Sequence, residues 1–214
     1  MKKLRVSIAA LVMVGIAAAV QAQTSIQEGF ENVSTLTSRG WLISNVSSPV
    51  GPTGWFQGDS SQFRAQAGSG SSYIAANFNN ALPGGTINDW LISPSFSVAQ
   101  GGTVSFWTRA DVAEGFGDTL RFGFSNGSAS FASFALGAAQ TISDTWTRYS
   151  FTFAAQPGAS ARFALLYSGA ADVSNYVGID SFSVTPVPEP ETWALMLLGI
   201  SSLGLIARRR RAGR

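Results

Sequence analysis

Thr147-Arg148-Tyr149-Ser150-Phe151-Thr152-Phe153 runs through the turn Gln156-Pro157-Gly158 into Ala161-Arg162-Phe163-Ala164-Leu165-Leu166-Tyr167, and this stretch decides the fold class. In both runs the large apolar side chains occupy every second position. An extended backbone sends alternate side chains to opposite faces, so Tyr149, Phe151 and Phe153 share one face, as do Phe163, Leu165 and Tyr167. A helix would need spacings of three and four, which neither run has. Two half-buried strands with a turn between them are therefore predicted.

The same period extends upstream, where Leu120, Phe122 and Phe124 alternate with Arg121, Gly123 and Ser125. Glycine-rich punctuation separates the runs at Gln100-Gly101-Gly102, at Gly115-Phe116-Gly117-Asp118 and at Asn126-Gly127, and the last pair is composed for a tight hairpin. Between residues 23 and 184 the pattern predicts about nine or ten strands, an all-β chain at the spacing of a sandwich or barrel. No internal repeat is evident.

That middle region has no Lys, His or Cys, and sets six arginines against ten acids for a net charge of −4. Catalysis through Ser-His-Asp or Cys-His arrangements is excluded, as is zinc, haem or iron–sulfur ligation. Disulfide staples are excluded too, so the hydrophobic core must carry the fold. The basic surplus of the whole chain comes from Lys2, Lys3 and Arg5 at one end and from Arg208 to Arg211 and Arg214 at the other. It implies membrane insertion and no nucleic-acid partner.

The two ends read as addresses. Lys2, Lys3 and Arg5 precede an apolar run from Ile8 to Val20, and small residues flank Gln21. This is the layout of a secretory signal peptide, residues 1–22, cut by signal peptidase between Ala22 and Gln23. As a helix the apolar run would rise only about 20 Å against a hydrocarbon core of ~30 Å, too little for a permanent anchor. At the other end, Val187-Pro188-Glu189-Pro190-Glu191 leads into an uncharged stretch from Trp193 to Ala207, and then into four arginines. Prolines at alternate positions keep residues 185–191 extended and accessible. Residues 192–214 are expected to form a short transmembrane helix with a cytoplasmic Arg-rich end, which places the middle region outside the inner membrane.

The order Pro188-Glu189-Pro190, apolar helix, arginine cluster resembles the PEP-CTERM sorting signal. The resemblance implies recognition by an exosortase, cleavage near the Pro-Glu-Pro and transfer to the surface or exopolysaccharide matrix of a Gram-negative bacterium. The middle region carries Gly29-Phe30-Glu31, Gly40-Trp41, Asp89-Trp90-Leu91-Ile92-Ser93-Pro94, Val104-Ser105-Phe106-Trp107 and Gly178-Ile179-Asp180-Ser181-Phe182-Ser183-Val184 in that order. This series resembles the choice-of-anchor J domain, similar to cleaved-adhesin and MAM-type jelly rolls. The implied fold is a jelly-roll β-sandwich over 23–184, with adhesive or matrix-binding roles and no agreed catalytic chemistry.

Among candidate site residues, Trp41, Trp90 and Trp107 have strand-like apolar neighbours and are expected in the core. Trp55 and Phe56 follow the loop Pro49-Val50-Gly51-Pro52-Thr53-Gly54 and are expected as an exposed platform for a ligand such as exopolysaccharide or a surface glycan. Asp111, Glu114 and Asp118 cluster in one loop. They read as a solvated turn, or alternatively as the source of a carboxylate pair in a secreted carbohydrate-active enzyme. Gly68-Ser69-Gly70 is not followed by a helix and so is no phosphate loop. At Asp180 the alternation slips, Val177 and Ile179 holding one phase and Phe182 and Val184 the other, which predicts a β-bulge. The resemblance implies adjacent first and last strands, with Glu31 and Asp180 sharing a structural calcium. The Asp-Gly-Asp-Gly loop of some relatives is missing, since residues 44–58 contain no acid before Asp59. The expected role is adhesive or structural, in biofilm or aggregation, and non-enzymatic.

Overall fold

The computed structural model describes residues 25–187 and 198–201. The strands are β1 (Ile26–Glu28), β2 (Leu42–Asn45), β3 (Ser48–Val50), β4 (Phe56–Gln57), β5 (Ile74–Asn77), β6 (Ala81–Ile92) and β7 (Phe96–Ser97). They continue as β8 (Gly102–Ala110), β9 (Thr119–Ser125), β10 (Ala135–Leu136), β11 (Gln140–Thr141), β12 (Thr147–Phe153), β13 (Ser160–Ala170) and β14 (Tyr176–Pro186). Eight of them have four or more residues, and the others are short edge pieces that the period-two pattern is too brief to reveal.

The strands form two antiparallel sheets, one ordered β12-β8-β14-β5-β4 with β1 on β14, the other β10-β9-β13-β6-β2 with β3, β7 and β11 at its margins. Consecutive long strands alternate between the sheets. The Gln156-Pro157-Gly158 turn thus carries the chain from one layer to the other, with Gly158 at φ +75°, and β12 never pairs with β13. The expected hairpin at Asn126-Gly127 is also corrected. Gly127 does turn, at φ +89°, but the chain passes through the 3-10 turn Phe131–Ser133 before β10 returns to β9. That detour covers the outer face of the second sheet: Trp90 stacks on Phe131 at 4.7 Å, over a small cluster with Ile92, Ala164 and Leu166.

The core lies where the inner faces meet. Phe106 of β8 sits at its centre, within 4.9 Å of Phe122, 5.7 Å of Phe163 and 5.9 Å of Tyr149, ring centre to ring centre. β14 holds its inner face through a register shift between Asp180 and Ser183, where Ser181 adopts φ +51°. The extra residue lets Val177 and Ile179 before it, and Phe182 and Val184 after it, all enter the core. The bulge read from the sequence is present. β1 lies beside β14, Ile26 opposite Val184 and Glu28 opposite Phe182. Trp41 is fully buried between Phe30 and Phe182, and Trp90 is buried, whereas Trp107 is half-buried on the outer face of the first sheet.

β14 ends at Pro186, two residues beyond the expected domain limit. Pro188, Glu189 and Pro190, the Ala22–Gln23 cleavage site and most of the expected transmembrane segment lie outside the described residues. Residues 198–201 are helical and exposed, and no helix among the described residues is long and apolar enough to cross a membrane.

Candidate functional site

The sandwich has two dissimilar poles. At one, Ile26 and Pro186 bring both ends of the domain together. At the other, β14 begins at Tyr176, directly after the turn Ala171–Val173, and the loop between β8 and β9 and the turn Phe78–Asn80 converge. A strand rises ~3.3 Å per residue, so the eleven residues of β14 separate the poles by roughly 33 Å. Loops at the end of a rigid sandwich are the ordinary place for a binding surface.

The free pole carries a groove of about 450 Å³ lined by Phe78, Asn79, Pro83, Phe116, Asp172 and Asn175, together with small residues. Phe78 and Phe116 are 45% and 46% exposed, and Leu82, Val112 and Val173 nearby are also exposed, which makes this an apolar patch rather than one stray ring. The backbone around it is well tied. Phe78 donates its N–H to the Asn175 carbonyl at 3.0 Å and Gly117 to the Val173 carbonyl at 2.8 Å, joining three loops. Asp172 accepts from the Gly84 amide at 2.9 Å. No Lys or Arg lines the groove.

Beneath it Asp118 is fully buried. It accepts from the Tyr167 hydroxyl at 2.5 Å and from the amides of Asn175 and Tyr176 at 3.0 and 3.1 Å. Burial raises its pKa, against the opposing pull of those three donors. Asp118 thus pins the starts of β9 and β14 to β13. Asp111 is half-buried beside Asn175, near enough that its charge adds to the rise in the Asp118 pKa, and Glu114 is exposed, so this acidic loop divides into one fully buried carboxylate that ties strands together and two that are not fully buried.

The expected platform at Trp55 and Phe56 is corrected. Trp55 is only 6% exposed and packs edge-on against Tyr167 at 6.4 Å, and Phe56 is half-buried against Tyr176 at 5.9 Å. Their loop folds inward because Gln57 ties it to the Phe30, Ser71 and Tyr73 carbonyls. Among the described residues the two most exposed aromatics are Phe78 and Phe116, which the alternation pattern passes over. A signal for Phe116 was present in its two flanking glycines, since a ring between Gly115 and Gly117 cannot be holding a strand.

Glu31 and Asp180 lie at neither pole but near the middle of β14, Asp180 at the bulge and Glu31 just beyond the end of β1. Asp180 is fully buried, accepting from Ala67 N at 3.0 Å and Ser181 N at 2.5 Å, which fastens the 59–72 loop over the bulge; burial raises its pKa in spite of these amides. Glu31 is exposed, with its carboxylate folded over Gly29, and shares a shallow cleft with Ser181. The buried acid of β1 is Glu28, which accepts from Phe30 N at 2.8 Å and pairs with Arg39 at 2.7 Å. Among the described residues no group of three or more acids is placed to hold a metal ion. Asp180 Oδ1 also accepts from the Ser181 hydroxyl at 3.3 Å, so this carboxylate is held by the loop and by the bulge itself.

No curated protein matches this chain. The PEP-CTERM protein-sorting motif matches residues 186–211. Among solved structures, the K1 cleaved adhesin domain of Lys-gingipain from Porphyromonas gingivalis W83 is 16% identical, with a TM-score of 0.59, and the match covers 77% of this chain and 99% of that one. The K3 domain of the same protein gives 16% identity and a TM-score of 0.54 over 77% and 99% of the two chains, and the K2 domain 18% and 0.52 over 76% and 98%. The described domain therefore has the cleaved-adhesin jelly-roll fold, and the chain ends in a PEP-CTERM sorting motif.

Proposed function

We propose that this is an exported, exosortase-sorted surface or matrix protein whose free pole binds glycan and thereby serves adhesion. The observation that carries the reading is the groove between Phe78 and Phe116, roughly 33 Å from the end at which the sorting tail leaves. A domain held by its tail presents that groove outward. Two half-exposed rings offer apolar faces to a sugar ring, and Asn79, Asp172 and Asn175 offer the few polar groups that orient a ligand in a largely apolar cleft. With carboxylates at its rim and no cation in its lining, the groove favours neutral glycans over polyanionic ones. One shallow groove binds weakly, and display of many copies on a surface or matrix raises the effective affinity.

The proposal includes the calcium implied by the sequence resemblance, shared by Glu31 and Asp180 beside the β14 bulge, where it would brace the first and last strands.

Binding of the surface form to an array of neutral and acidic oligosaccharides tests the reading. Phe78→Ala and Phe116→Ala are expected to reduce binding at least tenfold while leaving the melting temperature nearly unchanged, because both rings are half exposed. Undiminished binding by the double variant would reject the groove as the site.

A further inference from the structure

Asp89 is a carboxylate in the core. It shares the inner face of β6 with Ile87 and Leu91 and is fully buried. Its Oδ2 accepts from Asn80 Nδ2 at 2.6 Å, and its Oδ1 has no partner. Asn80, itself fully buried, closes the turn Phe78–Asn80: its side-chain oxygen accepts from Thr53 Oγ1 at 2.8 Å and completes a capping box with Asn77. Its carbonyl accepts from Gly51 N at 3.0 Å and from Asn45 Nδ2 at 2.7 Å. The same turn supplies Phe78 and Asn79 to the groove wall. One buried carboxylate is therefore a single hydrogen bond away from the wall of the candidate binding site.

We infer that the protonation state of Asp89 gates the groove, the neutral acid holding the Phe78–Asn80 turn closed and the ionised one releasing it. This rests on the reading of the groove as the binding site. A buried carboxylate helped only by Asn80 Nδ2 and the Trp90 amide, with no countercharge, is costly to ionise in an apolar core. It either keeps its proton or admits water by lifting what covers it, namely the Asn80 turn and the 51–55 segment, where Gly54 lies against Asp89 Oδ2. No countercharge intervenes. Asp89 is faced by Asn80 from the turn, Asn45 opposite it on β2, and Tyr167 opposite it on β13 with Asp118 behind its hydroxyl, while the Trp55 indole of the covering segment packs on Tyr167. The ion pair found among the described residues, Arg39 with Glu28, lies elsewhere, where β1 meets Phe182 of β14. Burial pushes Asp89 up to about 7, which puts the transition near neutrality. A ligand that requires the closed wall then loses affinity up to tenfold per pH unit above that point.

The chain has no cysteine, so Asn79→Cys in the full chain, purified in detergent and labelled with bimane, reports the groove wall directly. From pH 5 to 9 its emission should change in a one-proton transition centred near 7. In the Asp89→Asn background the label should hold its acidic-end signal throughout, while Asp118→Asn should leave the transition in place. A bimane at Ser150→Cys on β12 should stay flat. A flat Asn79 label, or a transition that survives Asp89→Asn, overturns the gate. The two readings separate: a titrating wall with no glycan bound at either pH rejects the ligand and keeps the gate, whereas equal glycan binding at pH 6 and pH 9 rejects the gate and keeps the ligand.

Discussion

Asp89→Asn should make the domain more stable at alkaline pH and nearly indifferent to pH across the neutral range. Burial raises the Asp89 pKa from an ordinary value of 3.8 to about 7, so the folded state holds the proton more tightly than the unfolded chain does. The stability contributed by the neutral acid is complete below about pH 3.8 and is lost as the pH rises through about 7. At 1.36 kcal/mol per pH unit, the full loss is about 4 kcal/mol, of which about 3 kcal/mol falls between pH 5 and pH 8. For a domain of this size that corresponds to roughly 6–12 °C in melting temperature. Asn fills the same space, accepts from Asn80 Nδ2 through its own carbonyl oxygen and cannot ionise. Urea unfolding of wild type and variant at pH 5, 6, 7 and 8 gives the comparison. Asp118 and Asp180 are also raised by burial and contribute with the same sign, so the difference between the two proteins isolates Asp89. If the variant loses as much stability as the wild type over this range, Asp89 is not the group that titrates and the reasoning fails.

Phe163→Ala, at a fully buried ring within 4.8 Å of Phe124 and 5.4 Å of Phe151, should cost about 3–5 kcal/mol in chemical denaturation, whereas Phe116→Ala should stay within about 0.5 kcal/mol. Asp180→Ala strands the Ala67 and Ser181 amides; we expect a loss of about 1–3 kcal/mol and faster proteolysis between residues 60 and 70, and an unchanged cleavage rate would refute the anchoring role. If calcium bridges Glu31 and Asp180, EDTA should lower the melting temperature by about 5–11 °C, reversibly, and identical curves together with metal-free protein by elemental analysis would reject the ion. Intact mass of the surface form should show a start at Gln23 and loss of the segment from Trp193 onward, while retention of Arg208 to Arg211 would indicate an ordinary membrane anchor.

The candidate site was only partly legible in the sequence. Loop chemistry pointed to exposed aromatics, and both poles do consist of loops, but Trp55 illustrates why composition is not exposure. Its loop is rich in Gly and Pro, yet Gln57 reaches three carbonyls of neighbouring segments and draws the indole inward. Those partners lie 14 to 27 positions away in the chain, beyond the reach of a local pattern. Phe78 looked unremarkable among asparagines, and became a groove wall only because Asn77 and Asn80 close a turn around it.

What the sequence determined by itself is what depends on local periodicity and on linear order. Alternation in β9, β12 and β13 sorts each side chain to a face, the slip at Asp180 marks the bulge, and the tail motif is read in order along the chain without any fold. What only the tertiary structure decided is which strands meet. Alternation says that Tyr149 and Phe163 each face a core, but is silent on whether their strands share a sheet; here β12 pairs with β8 and β13 with β6 and β9. Pairing across the sandwich joins residues far apart in sequence, such as Ile26 with Val184, and is selected by how the aromatic rings of both layers fill one interior. The groove is a product of that selection, because Phe78, Phe116 and Asp172 come from three loops that meet only after the two sheets have closed on Phe106.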